Sequence, residues 1–278
     1  MVTKDELLSP FKPNWCPGCG DTTIWLSLKN ALVQLGLKQE AFVIVYGIGC
    51  SGNMCTVIKG YGFEGLHGRP IPVAEAIKMV NPKLKVIVVA GDGDTLGEGL
   101  NHFITACRGN HDITLIIHDN RVYGLTTGQA APTAPKGYKS KSTPAGTIEV
   151  PVKPLALAIA ADATWAARGF SADPLQLQQL MVEAVQHRGF SLLDVLQNCA
   201  TFNKVNDVTW FKEHTYKATH DPKDRAAAFV AALDENKLAT GLIYTSEREA
   251  YDEDLEARGV VDADLAKVDI TETMNEFI

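Results

Sequence analysis

Cysteine is scarce in this chain: six in 278 residues, at 16, 19, 50, 55, 107 and 199. That is too few and too scattered for a small disulfide scaffold, and in a reducing compartment metal binding or catalysis is the better use of thiols. No run of eighteen apolar residues occurs, and MVTKDELLSPFKPNWC at the start has no apolar core with a small-residue cleavage pattern. A cytoplasmic protein without membrane contact is expected. No basic stripe with interleaved aromatics appears and the formal net charge is -7, so a nucleic-acid partner is not expected. There is no G-x-G-x-x-G at a first strand and no G-K-[ST], and GIGCSG lacks the helix-opening glycine. Dinucleotide and P-loop chemistry therefore lack their phosphate cradles.

What is present suits a sizeable core, with 46% hydrophobic residues. Charge is uneven: from Ser246 onward there are eleven Asp or Glu against three Lys or Arg, which reads as a solvated face. Residues 1–20 read as an extended cysteine-bearing arm. Asp21 or Thr22 is expected to cap a helix whose apolar positions Ile24, Leu28, Leu32 and Leu35 end at Gly36. FVIVY, KVIVVAGDGD, ITLIIHDN and FSLLDVLQNC are apolar runs that end in small or polar residues, with a shorter strand in ADATWAARGF. Helices are expected at about 96–107, 155–160 and 174–186 between them. Strands apolar on both faces, alternating with helices, predict an α/β fold with a mostly parallel sheet and helices on both faces. The stretch from Tyr123 to Val152 is long and rich in Gly, Pro, Thr and Ser, as in a lid or binding loop. Asp221-Pro222 reads as the start of a helix to about Leu233, and GLIYTS as one more strand. The division expected is an arm at 1–20, an α/β domain at 21–204, and a mainly helical extension at 205–278.

GIGCSGN, GDGD, HDNRVYG and NCAT all fall just beyond predicted strand ends, where open α/β sheets bind ligands. In GDGD the glycines admit close backbone approach, and a following helix offers N–H groups to an anion. Asp92 can also hold a divalent cation that neutralises a diphosphate. Mg²⁺ requires octahedral oxygen ligands, and the Asn120 side chain with the Val122 carbonyl would complete the share supplied by the protein. Cys16 and Cys19 form a Cys-x-x-Cys pair whose own residues leave three readings open: a redox dithiol, half of a zinc site, or half of an iron–sulfur site.

Taken together, WCPGCG, GIGCSG, GLHGR, GDGD, HDNRVYGLTTGQ, KSTPAG and NCATFNK resemble the β subunit of the 2-oxoacid:ferredoxin oxidoreductases, from the N-terminus to about Gly241. The resemblance implies a thiamine diphosphate-binding fold of the diphosphate-domain type, with Asp92, Asn120 and the Val122 carbonyl on Mg²⁺. Gly93 and Asp94 would meet the diphosphate, with Gly124 and Leu125 on its other side. Ile48, Gly49, Cys50 and Ser51 would border the cofactor, and Gly91, Tyr123 and Thr126 belong to the same set. His67 is placed near the reacting end, as a polar contact to substrate. A [4Fe–4S] cluster would sit on Cys16, Cys19, Cys50 and Cys199. Cys107 reads as core, and Cys55 stays ambiguous.

The activity implied is CoA-dependent oxidative decarboxylation of a 2-oxo acid, with electrons passing through the cluster to ferredoxin. The partners implied are an α subunit that bears the pyrimidine domain, ferredoxin, and a second α–β heterodimer. Several relatives have lysine at the positions of Asn53 and Thr127, so the charge partner of the substrate carboxylate is expected from the partner subunit. The KSTPAG-type loop favours 2-oxoglutarate over pyruvate. Two rivals remain: a thiamine-dependent decarboxylase or acyl transferase with structural zinc on the four cysteines, and a non-catalytic metal-binding interaction protein.

Overall fold

A computed structural model of the chain describes residues 1–257 together with 269, 271 and 275. Its strands are β1 (Phe42–Tyr46), β2 (Gly62–Glu64), β3 (Lys85–Gly91), β4 (Ile113–Asp119), the short β5 (Val122–Tyr123) and β6 (Gln129–Ala130), β7 (Trp165–Phe170), β8 (Ser191–Leu196), β9 (Thr215–Lys217) and β10 (Leu238–Thr245). The helices are α1 (Asp21–Gln34), α2 (Pro70–Val80), α3 (Leu100–Gly109), α4 (Pro154–Ala160), α5 (Pro174–Gln186), α6 (Val208–His214), α7 (Arg225–Leu233) and α8 (Tyr251–Ala257). Eight strands form one sheet in the order β2-β1-β3-β4-β8-β7-β10-β9, and β5 and β6 form a separate hairpin. Every pairing in the large sheet is parallel except that of β10 with β7. The expected α/β architecture with a mostly parallel sheet is the one observed.

Alternation along the central strands explains why both faces are covered. Val86 and Val88 of β3 pack with Ala74 of α2 and Phe103 of α3, in a core layer that also takes in α4 and α7. Ile87 and Val89 turn to the opposite layer, against Ile24, Leu28 and Leu32 of α1 and Leu177 and Met181 of α5. With successive side chains on opposite faces, a strand clothed on both sides must be apolar throughout. Cys107 is fully buried in the first layer, as expected of a core thiol.

Three local expectations are corrected. Asp21 does not cap α1: Gly20 holds the cap position with no side-chain bond, and the Asp21 carboxylate inside the first turn is taken up by His118 and Cys19. The helix expected at 96–107 is split into one π-type turn, Asp94–Glu98, and α3. The third concerns α7, which starts at Arg225. Asp221 closes a turn by accepting from Lys223 N–H, and Asp224 caps the helix through Ala226 and Ala227 N–H. Within 205–257, α6, α7 and α8 stand beside β9 and β10, which extend the sheet, and β10 takes in most of the strand expected at GLIYTS. Most of the acidic tail beyond 257 lies outside the described residues. Helix α2 was not anticipated; its prolines at 70 and 72 fall in the first turn, where a missing N–H costs little.

Candidate functional site

The site lies at the carboxyl ends of β1, β3, β4 and β8. One cleft there is lined by Ile48, Gly49, Cys50 and Ser51 after β1, by His67, and by Gly91, Asp92, Gly93 and Asp94 at the end of β3. Asn120, Val122, Tyr123, Gly124, Leu125 and Thr126 line its other side. His118, which sequence reasoning passed over, lines it as well.

Asp92 is buried, and its carboxylate accepts from Gly93 N–H at 2.9 Å and Arg121 N–H at 2.8 Å, with the Thr133 hydroxyl on the same oxygen as Arg121. Burial, then the neighbouring charge of Asp119, push Asp92 well above the usual carboxylate range. Among the described residues neither acid has an ion-pair partner. A pair of buried carboxylates without a cation is a costly arrangement, which a bound divalent ion would relieve. Asn120 Oδ1 accepts from Val122 N–H at 3.0 Å, and Asn203 holds the Asn120 carbonyl at 3.0 Å, so the amide is fixed in place. Ala131 N–H donates to the Arg121 carbonyl, which makes the Val122–Ala130 pair of the hairpin the non-hydrogen-bonded kind and turns the Val122 carbonyl away from β6. A carboxylate, an amide oxygen and a free carbonyl are the oxygen donors Mg²⁺ takes.

Around them stand polar atoms that lack partners. Ser51 Oγ, Thr95 Oγ1 and Asp94 Oδ2 are buried without a hydrogen bond. The other oxygen of Asp94 accepts from Ile48 N–H and Gly68 N–H, and His67 Nδ1 lies 2.7 Å from it and 3.3 Å from Glu98. Burial raises the Asp94 carboxyl, against the Gly68 and Ile48 N–H groups and His67, which lower it. The glycine of GDGD has a packing reason: a Cβ at Gly93 would come within 2.3 Å of the Tyr123 ring.

A second cavity of about 200 Å³ adjoins the cleft and is lined by Cys16, Cys19, Cys50 and Cys199. Cys50, Asn120, Gly124 and Leu125 belong to both. Gly124 brings the backbone close to that wall: a Cβ there would sit 3.3 Å from Cys50 Sγ and 3.8 Å from Cys199 Sγ. The Cys-x-x-Cys loop is strapped to the end of β8: Asn198 Nδ2–H donates to the Gly18 carbonyl at 2.7 Å, and Gly20 N–H to the Asn198 carbonyl. Trp15 Nε1–H donates to the Cys50 carbonyl at 2.7 Å, closing the arm over the cavity. Burial pushes the Cys50 thiol up to about 12, with Asp21, Cys199 and Cys16 adding to it. Cys55 lies outside the cavity and bonds Glu64. Among the described residues, no three His, Cys, Asp or Glu side chains close on one point as a single metal ion requires.

The long segment after Tyr123 is anchored through much of its course. Thr133 reaches Asp92, Tyr138 Oη–H donates to the Phe202 carbonyl at 3.1 Å, and residues 148–150 are exposed. No lysine or arginine of the described residues lines either cavity. Among those residues no helix is long and apolar enough to cross a membrane.

Comparison with known proteins defines the class first. Residues 47–195 match the family model of the thiamine pyrophosphate enzyme C-terminal TPP binding domain, and residues 199–258 match the model for the C-terminal part of the pyruvate ferredoxin oxidoreductase β chain. The chain is 42% identical over 257 residues to 2-oxoacid:ferredoxin oxidoreductase 2, subunit beta, of Aeropyrum pernix, covering 87% of this chain and 83% of that one. It is 39% identical to the 2-oxoglutarate synthase subunit KorB of Archaeoglobus fulgidus, covering 75% and 78%. The solved 2-oxoglutarate:ferredoxin oxidoreductase of Magnetococcus marinus, with 2-oxoglutarate, coenzyme A and succinyl-CoA bound, superposes with a TM-score of 0.91 at 31% identity, over 99% of this chain and 95% of that one. This chain belongs to the 2-oxoacid:ferredoxin oxidoreductase β subunits. It is therefore one subunit of an oxidoreductase complex, built on a thiamine diphosphate domain, and the β designation implies an α partner.

Proposed function

We propose that this subunit, with its α partner, catalyses CoA-dependent oxidative decarboxylation of a 2-oxo acid, 2-oxoglutarate in preference to pyruvate, and passes the electrons through a [4Fe–4S] cluster to ferredoxin. The observation that carries the reading is the shared wall: the cleft at GDGD and the four-cysteine cavity meet at Cys50, Asn120 and Gly124. Electron transfer out of a cofactor needs such contact.

Thiamine diphosphate, when bound, would supply the carbanion chemistry through which the 2-oxo acid gives up its electrons. The residues of this chain hold and surround it. Asp92, Asn120 and the Val122 carbonyl would ligate Mg²⁺, and Ser51 and Asp94 offer unsatisfied polar atoms beside it. His67, held by Asp94 and Glu98 at the rim, would contact substrate. Four thiols around one cavity that shares a wall with the cleft suit a cluster that takes up electrons from the cofactor. With no cation lining either cavity, the partner subunit supplies the positive charge for the substrate carboxylate. A dimer of α–β heterodimers is the assembly proposed, in the cytoplasm.

The test is anaerobic co-purification with the α subunit, followed by iron and sulfide analysis, absorbance near 400 nm before and after dithionite, and viologen reduction with CoA across 2-oxo acids. Iron with a bleachable band, and turnover greatest on 2-oxoglutarate, is expected. Zinc without iron, or no reduction with any 2-oxo acid, overturns the proposal.

A further inference from the structure

One buried pair links the two cavities and is used by neither role assigned so far. Asp21, at the start of α1, and His118, near the end of β4, are both essentially inaccessible, with His118 Nδ1 2.6 Å from Asp21 Oδ1. Asp21 lines the cysteine cavity, and its other oxygen accepts from the Cys19 thiol at 3.2 Å. His118 lines the cleft, and its Nε2 is buried with no partner in the protein. The two side chains thus form a single bridge, with Cys19 at one end and an unsatisfied ring nitrogen at the other.

A buried carboxylate–imidazole pair is weak evidence of a stabilising role, since apolar residues of similar size would fill the space at lower cost. An unpartnered nitrogen adds a further penalty. The arrangement becomes economical only when something in the cleft completes it. A carboxylate on Nδ1–H fixes the tautomer and leaves the Nε2 lone pair facing the cleft. On the other side, a negative charge beside a cluster thiolate favours the oxidised cluster.

We infer that Asp21 and His118 act as a positioning pair: Asp21 holds His118 so that Nε2 accepts a hydrogen bond from the group bound in the cleft, while the same carboxylate sets the electrostatic surroundings of Cys19. The inference rests on the function proposed above. It makes Asp21 a residue felt at both cavities at once.

The experiment uses the α–β complex as wild type, Asp21→Asn, His118→Phe, His118→Gln and the Asp21→Asn/His118→Phe double variant. Thiamine diphosphate affinity is measured by calorimetry in Mg²⁺ after cofactor removal, and cluster potential by EPR-monitored redox titration. His118→Phe is expected to weaken the affinity about tenfold, the size of one lost hydrogen bond. His118→Gln, which keeps an acceptor, should recover part of it. Asp21→Asn should raise the cluster potential and weaken cofactor binding less than His118→Phe. The double variant should bind no more weakly than His118→Phe alone, because the carboxylate acts on the cofactor through the ring. Lower melting temperatures with unchanged affinity and potential mean a merely structural pair and overturn the inference. Additive losses of affinity in the double variant overturn it too. If the wild-type complex holds neither iron nor thiamine, the proposed function falls and takes this inference with it. If it holds both and the variants match it, only the inference falls.

Discussion

At the end of the sheet where β3 and β4 begin, buried acids are met by cations, the buried Lys78 and the half-exposed Arg188. Lys78 Nζ lies 2.6 Å from Asp112 and donates to the Pro82 and Leu84 carbonyls, and Arg188 reaches Asp112, Asp252 and Glu253. Lys78, with Arg188, holds Asp112 below the usual carboxylate range even though burial pushes the other way. At the opposite end of the same strands, Asp92 and Asp119 are buried together with no ion-pair partner among the described residues, and burial drives Asp92 the other way. At the first end Asp112 finds its cations within the protein. The other is built around a charge still to be added, which is how a binding site differs from a structural ion network. The stability given up there is recovered only on binding.

The contrast can be broken most severely at Asp92. Asp92→Asn should weaken Mg²⁺–thiamine diphosphate binding by more than about 100-fold, the upper range for mere outer-shell groups. The melting temperature of the cofactor-free complex should not fall, and the rise that cofactor gives the wild type should vanish. Thermal melts with and without cofactor check both. Lys78→Met tests the other end: removing one partner from a buried ion network should cost about 3–5 kcal/mol in urea unfolding, with cofactor affinity unchanged in the folded fraction. Gly93→Ala is smaller. Its methyl displaces the Tyr123 ring, with an overpacking cost of about 1–3 kcal/mol and weaker cofactor binding by calorimetry. Glu75, 3.5 Å from His111, is raised to about 7 by burial. The folded chain then keeps a proton that the unfolded chain has already lost, so this group makes stability fall as pH rises from about 4.3, the unfolded value, toward 7. Glu75→Gln should flatten that slope, as urea midpoints taken across the window would show.

Much of this contrast was legible before the fold. The apolar runs of β3, β4 and β8 marked buried parallel strands, and their polar ends marked the place where ligands gather. What escaped was set by neighbours remote in the chain. His118 sits in ITLIIHD, where it reads as one more position of a core strand. Its only local signal is the two-residue spacing from Asn120, which puts both on one face. Asp21 reads as a helix cap, because nothing nearby shows that His118, 97 positions away, will claim its carboxylate. Helix α2 escaped because two prolines close together look like a loop unless both fall in a first turn. Strand β10 was legible in GLIYTS, but its antiparallel place beyond β7, and β9 beside it, escaped because they continue no local pattern.

Periodicity, glycine placement and strand-end polarity act over a few residues, so the sequence by itself determined the parallel α/β architecture and the motifs at its carboxyl edge. Strand order and the course of the N-terminal arm act over tens to hundreds of residues. Only the tertiary structure decided that Cys16 and Cys19 meet Cys50 and Cys199 around one cavity, that this cavity shares a wall with the cleft, and that Asp21 and His118 bridge the two. Those contacts depend on which strands lie side by side, a choice made by packing the whole sheet against its two helical layers.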